Sequence, residues 1–347
     1  MKKLLLMTAV LFAFFACTEE EVNPIENATP NEVNTSTFDH EVVIDRNCSA
    51  PEINARILEE NPELLEKQGL IEAHTRSFIE AKKPTNPGGG NGGGNGGGGD
   101  DPGPTPFEGV VTIPVVVHVV YNTQSQNISD QQINSQIAVL NDDFRASNSD
   151  VNSVPSEFSG DVSDSEIEFV LDRVIRVASS VGSWGTNDAV KFSSNGGSDV
   201  VDPANYLNIW VANIGGGILG YAQFPGGPTN TDGVVVGPEY FGTTGTASSP
   251  FDEGRTTTHE VGHWLNLRHI WGDGRCNRDD FVSDTPRSDR PNYGCPGYPT
   301  SHCRSTDMTM NYMDYVNDAC MYMFSNGQTD RMRALFASGG ARESFVQ

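Results

Sequence analysis

The run His259-Glu260-Val261-Gly262-His263-Trp264-Leu265-Asn266-Leu267-Arg268-His269 constrains this chain more than any other stretch. On a helix, residues four apart share a face, with Cβ atoms about 5–6 Å apart. His259 and His263 can therefore aim a ring nitrogen each at one ion, and imidazole nitrogens suit Zn²⁺. Glu260 follows the first of them, where a carboxylate reaches a metal-activated water without binding the metal. A straight helix would carry residue 269 about 9 Å past residue 263. His269 joins the set only if the helix stops and the chain turns back. The stop needs a residue that tolerates left-handed backbone, and Asn266 stands where one is required. The other reading of the run, an amphipathic core helix with incidental histidines, leaves the third histidine without a purpose.

The rest of the chain is organised around this run. Met1-Lys2-Lys3 and the apolar Leu4–Ala16 read as a signal peptide at 1–16, too short to span a bilayer. Phe14-Phe15-Ala16-Cys17 is similar to a lipobox, which would make Cys17 a lipidation site, and an ordinary secretory cut near Ala16 is the alternative. Residues 17–86 form a tether and pro-segment, with a helical pattern over 50–82 broken at Pro62. Residues 87–106 are nearly all Gly, Asn, Asp and Pro, a flexible linker. The body is 107–347. It opens with a buried strand over 110–121, then a helix over 129–146 under a Ser129-Asp130-Gln131-Gln132 capping box. Strands follow at 166–177, 206–214, 220–224 and 234–236, then a helix from Thr256 to about Leu267 and a last helix capped by Ser325. Strands first, a helix carrying chemistry, then a loop-rich remainder read as an α+β enzyme. His118, inside the first strand, reads as a satisfied core histidine.

With 22 Lys+Arg against 46 Asp+Glu, the formal net charge is -24. Such a surface repels phosphate backbones, so nucleic acid is excluded as a partner, and a membrane enters only through a lipid on Cys17. The chain is expected to be exported, as an outer-membrane or cell-surface lipoprotein or a secreted protein, and to be a monomer. Export permits disulfides. Cys276, Cys295, Cys303 and Cys320 lie beyond the histidine run, an even number with three possible pairings, or a second metal site. Cys48 stands alone in the pro-segment, either as a free or intermolecularly paired thiol or as a thiolate that fills the open zinc position, a cysteine switch. Activation would then cut the linker between about Ala81 and Phe107, where proteases reach most easily.

The histidine run resembles the extended zinc motif of metzincin metallopeptidases, with Asn266 where that motif has Gly. Met310-Asn311-Tyr312-Met313-Asp314-Tyr315 looks like their Met-turn. Ile113-Pro114-Val115-Val116-Val117-His118-Val119-Val120, Gly220-Tyr221-Ala222-Gln223-Phe224-Pro225 and Ser283-Asp284-Thr285-Pro286 are similar to the pappalysin family, in its ulilysin-like (cytophagalysin) branch. The resemblance runs from about Val110 to the C-terminus. It implies a metzincin-like zincin fold: a twisted mixed sheet, an active-site helix and a disulfide-linked, loop-rich C-terminal subdomain. It implies a secreted zinc metalloendopeptidase, made as a zymogen, that acts on proteins or peptides. His259, His263 and His269 would hold zinc, Glu260 would be the general base, and Met313 the apolar floor under the metal. Tyr315 would assist the tetrahedral oxyanion, or serve as a core tyrosine. Gly220–Phe224 would be an edge strand that pairs with substrate backbone. The resemblance favours Cys276–Cys303 and Cys295–Cys320. It suggests a structural Ca²⁺ at Asp280, the Val282 carbonyl, Asp284 and Thr285, where a solvated acidic loop is the alternative. Family members that prefer a basic residue after the scissile bond keep an acid in that pocket. Asp314 and Asp318 are candidates, although Ala319 directly precedes Cys320. Two other classes compete. One is a catalytically inert binding or adhesion lipoprotein on the same fold, which would not need Glu260. The other is a hydrolase of small amides or esters, which would not need an edge strand.

Overall fold

The computed structural model describes residues 45–83 and 103–347. The expected signal peptide, the Cys17 lipobox and most of the Gly-rich linker lie outside the described residues.

Helices α1 (Ala50–Glu60) and α2 (Leu64–Lys82) fall where the pattern over 50–82 places them, and the break is at Asn61-Pro62. Strand β1 (Val111–Tyr121) is followed by α3 (Asp130–Phe144), whose Ser129 side chain accepts a hydrogen bond from the Gln132 backbone N–H. Strands β2 (Ile167–Ala178), β3 (Leu207–Val211), β4 (Gly220–Ala222) and β5 (Val234–Val236) complete one five-stranded sheet of order β2-β1-β3-β5-β4. All pairings are parallel except β4 with β5. β1 lies inside the sheet between β2 and β3, which is why its sequence is apolar almost without alternation.

Alternation in the short strands divides the sheet into two faces. Ile209, Val211, Val234 and Val236 enter the main core with α3 and α4 (Arg255–Trp264). Trp210, Tyr221 and Val235 point the other way and gather a second cluster that includes Ile53 and Ile57 of α1. Burial of those two isoleucines stabilises α1 on the sheet by about 1.5–3 kcal/mol each before ordering costs. α2 is held differently: Phe78 packs on Ala334 and Ala337 at α5 (Asn326–Ala334). His118 is buried in β1 with Ser198 on one ring nitrogen (2.8 Å) and Asn208 on the other (2.9 Å), a satisfied core histidine as expected.

Beyond α4 regular structure is sparse. Two small pairs remain: β6 (Tyr293–Gly294) with β9 (Tyr315–Val316), and β7 (Ser301–His302) with β8 (Ser305–Thr306). Two disulfides supply the missing order. They join Cys276 to Cys303 and Cys295 to Cys320, the pairing the resemblance implied. Because Cys276 and Cys303 bond each other, they are unavailable as metal ligands. The α+β architecture with a twisted mixed sheet is the one expected.

Candidate metal centre

α4 is buried along its whole length and ends where the third histidine requires it to end. Asn266 has φ 71°, the left-handed conformation. The Leu267 N–H bonds the Gly262 carbonyl (2.9 Å) and the Asn266 N–H the His263 carbonyl (2.9 Å), which closes the helix and turns the chain back.

The turn brings three ring nitrogens together. The Nε2 atoms of His259 and His263 are 3.2 Å apart, those of His263 and His269 3.1 Å, and those of His259 and His269 3.3 Å. Each opposite nitrogen has an acceptor: the Tyr312 carbonyl for His259 (2.7 Å), the Leu267 carbonyl for His263 (2.8 Å) and Asp273 for His269 (2.5 Å). With an acceptor at every Nδ1 the ring protons belong there, and three Nε2 lone pairs face one point, an arrangement that a metal ion satisfies. Burial, and then the neighbouring histidines, push His259 far below its ordinary value and His263 down to about 3. A tetrahedral zinc with bonds of about 2.0–2.1 Å spaces its ligands about 3.3 Å apart, and the donor set fits it.

The sequence did not single out Asp273, although it lies four residues after His269. Trp271 stacks on the His269 ring at 4.2 Å and holds its plane. Met313 is fully buried. A Cβ on Gly262 would meet the Met313 sulfur at 2.5 Å, so this glycine is needed for the close approach. Gly262→Ala should lower unfolding free energy by about 1–3 kcal/mol through overpacking, measured by denaturant titration. An unchanged midpoint would mean that Met313 has room to move.

Glu260 is 1% exposed, and burial pushes it up to about 8. It lies against β4, where a Cβ on Gly220 would meet the Glu260 side chain at 2.9 Å. The stretch around Cys48 lies against both. Cys48 pairs with Gly220 in a parallel bridge, and the Leu219 N–H donates to the Asn47 carbonyl at 3.0 Å. The Cys48 sulfur is 3.3 Å from Glu260 Oε2 and shares one cluster with the three histidines. Burial, then the Glu260 charge, raise its thiol. Tyr315 donates its hydroxyl to the Cys48 carbonyl at 3.1 Å.

Two residues before Cys48, Arg46 enters a pocket at the start of α4. Its Nε donates to the Val316 carbonyl (3.2 Å), Nη1 to Thr256 Oγ1 (3.1 Å) and Nη2 to Asp318 Oδ1 (2.5 Å). Its guanidinium lies 4.8 Å over the Phe251 ring. The other Asp318 oxygen accepts from the Glu253 and Arg255 backbones (3.0 and 3.1 Å). Of the two acids the sequence offered here, Asp318 faces the arginine. Asp314 instead ties Asn292 and the Tyr315 backbone.

Asp280, Val282, Asp284 and Thr285 are all engaged by protein partners. Thr285 bonds Asp280 and the Val282 carbonyl, and Asp284 accepts from Ser325 and Gly327 at the start of α5.

A family model described as pregnancy-associated plasma protein-A matches residues 193–337. Extracellular metalloprotease 1 of Coccidioides posadasii is 32% identical over 239 residues, covering 66% of this chain and 78% of that protein. The chain belongs to the pappalysin family of metallopeptidases. An extracellular metalloprotease of Arthroderma gypseum is 33% identical over 65% of this chain and 72% of its own length. Among solved structures, mature mirolysin of Tannerella forsythia in complex with a cleaved peptide matches with TM-score 0.67 and 46% identity, over 69% of this chain and 96% of that one. A mutant of Tannerella forsythia promirolysin matches with TM-score 0.72 and 40% identity, over 86% of this chain and 97% of that one. The chain is thus a metallopeptidase with a zinc-type centre, similar to a mature enzyme over its body and to a proenzyme over more of its length.

Proposed function

We propose that this protein is an exported zinc metalloendopeptidase made as a latent zymogen, and that it cuts proteins at internal bonds next to arginine. The observation that carries the reading is the set of three Nε2 lone pairs with Glu260 one residue from the first of them. His259, His263 and His269 hold the zinc in this reading. Zinc supplies Lewis acidity, which polarises the scissile carbonyl and activates a water for attack. Glu260 takes the proton of the attacking water and passes it to the leaving amine. Tyr315, whose hydroxyl already donates to a peptide carbonyl, is placed to donate to the oxyanion. The edge of β4 that meets Cys48 pairs with the substrate backbone once Cys48 has left.

Residues 17–86 form the tether and latency segment, 87–106 the activation linker and 107–347 the catalytic body. The Cys48 thiolate serves as the switch that occupies the open position. Arg46 sits where a substrate arginine would follow the scissile bond, because its three donating nitrogens meet three acceptors and Asp318 supplies the charge. Export and a lipid on Cys17 belong to the same reading. So does a structural calcium held by Asp280, the Val282 carbonyl, Asp284 and Thr285, supported by the Thr285 hydroxyl, which already gathers Asp280 and the Val282 carbonyl around it.

Full-length protein nicked in the linker should cut an unfolded protein at internal bonds. A chelator should abolish the cuts and zinc restore them. Protein that holds stoichiometric zinc, is nicked and still cuts nothing would move the inert binding lipoprotein to the front. Cys48→Ala in the un-nicked protein should leak only about tenfold above the latent background, since Arg46, Ile53 and Ile57 still hold the segment in place. Full activity from that variant would mean the thiol alone confers latency, and no increase would remove the switch.

A further inference from the structure

We propose that departure of the pro-segment uncovers a second recognition site in the cleft, where Arg331 and Arg268 take an acidic side chain of the substrate, at the end of α4 opposite the arginine pocket. This rests on the peptidase reading above and adds to its substrate class.

The pro-segment shows what the site accepts. Glu72 on α2 bonds Arg331 through both oxygens, at 2.6 Å to Nη2 and 3.3 Å to Nη1, and also accepts from the Asn266 amide at 3.3 Å. Arg331 is 2% exposed, and its Nε and Nη2 are fixed on the Asn266 carbonyl (3.4 and 3.1 Å). Arg268 stands beside it. The two guanidiniums lie 4.7 and 5.7 Å over the same ring, Phe281. Arg268 Nε is buried and has no hydrogen-bond partner among the described residues. Burial draws Glu72 upward, but Arg331, Arg268 and Asn266 together outweigh it and hold the carboxylate below its ordinary range. Asp273 and Asp280 act on Arg268 only through space.

When Glu72 leaves, two like charges remain packed on one ring at the bend that positions His269. A buried fork of donors of this kind is satisfied by a carboxylate. A peptide has a route to it. Strand β4 leads from Gly220, beside Glu260, toward Phe224 and Pro225. Those two residues line a cavity of about 270 Å³ with Asn266, Arg268, Asp273 and Glu72, and Arg268 and Glu72 also line the adjoining cavity that holds Arg331. Thr256, at the arginine pocket, and Asn266 are ten positions apart, about 15 Å at helical rise, which an extended peptide spans in about four or five residues.

The test uses full-length protein nicked in the linker, with peptides carrying arginine after the scissile bond. Glu, Gln or Lys is walked through the upstream positions, against wild type, Arg268→Gln, Arg268→Glu and Arg331→Lys. Wild type should favour Glu over Gln at one position about tenfold in kcat/KM. Arg268→Gln and Arg331→Lys should weaken that preference, and Arg268→Glu should turn it toward Lys, while the arginine preference stays. Reversal by a single charge is an outcome that general damage to the fold does not produce. A flat scan in a wild type that cuts, or a Glu preference that survives Arg268→Glu, overturns this inference alone. A zinc-loaded wild type that cuts none of the peptides overturns the peptidase reading and this inference with it.

Discussion

Glu260→Gln should lower kcat of the nicked protein by about 10²–10⁴-fold and leave KM within a few-fold of wild type. The substitution keeps the side chain's shape against Gly220, where a single added Cβ would already collide. It leaves all three histidines and their Nδ1 acceptors in place. Zinc content and the thermal midpoint should therefore match wild type, and only the step that needs a proton acceptor should fail. The neighbourhood suits that role. Glu260 is buried, which raises its proton affinity, and the Cys48 thiol 3.3 Å from its Oε2 and then the Arg46 charge draw it down. In the proposed activation, departure of the segment would remove both partners and admit water in their place. Parallel loss of kcat and zinc would show Glu260 holding the centre together. Unaltered kcat would remove it from the chemistry and make the inert-binding reading the better one.

Local signals carried most of the architecture. Ser129 and Ser325 cap the helices they announce. The apolar run at 111–121 is the interior strand, and Asn266 is left-handed because a third histidine six residues after His263 leaves the backbone no other way to return. Elements held together by partners were read less well. The edge strand expected over 220–224 is regular only over Gly220–Ala222, since Pro225 and Gly226 follow and β5 pairs with three residues. The strand expected over 206–214 stops at Val211, where the β5 partner ends. Contacts across the chain were invisible. Arg46 and Asp318 are 272 residues apart and Glu72 and Arg331 are 259 apart, so no periodicity connects them. Asp318 was one of two candidate acids, and only the arginine lodged against it separates it from Asp314. The oxygen-rich loop at 280–285 was legible by composition alone, and the bonds from Thr285 to Asp280 and to the Val282 carbonyl were not.

Asp318→Asn should act twice, and the second effect tells what the first one means. In the nicked protein it should reduce the preference for arginine by about 10²–10³-fold, the cost of leaving a desolvated guanidinium without its counter-charge. Lysine should gain relative to arginine, because a single ammonium cannot meet the Val316 carbonyl, Thr256 and residue 318 together. In the un-nicked protein the same substitution strands Arg46, which is 2% exposed and has Asp318 as its ion-pair partner. Latency should weaken and the segment should be cut away faster. Asp318 also accepts two backbone N–H groups at the start of α4, and an asparagine oxygen turned toward them keeps that cap. A fold that merely loosened would lose latency without changing which peptides are cut. Pairing Asp318→Asn with Arg46→Gln separates the two. If the pocket reads charge, the double variant should regain tight latency while its cleavage profile stays as blunt as that of Asp318→Asn. If latency stays lost in the pair, the damage is at the helix start, and Asp318 is a cap rather than a determinant of specificity.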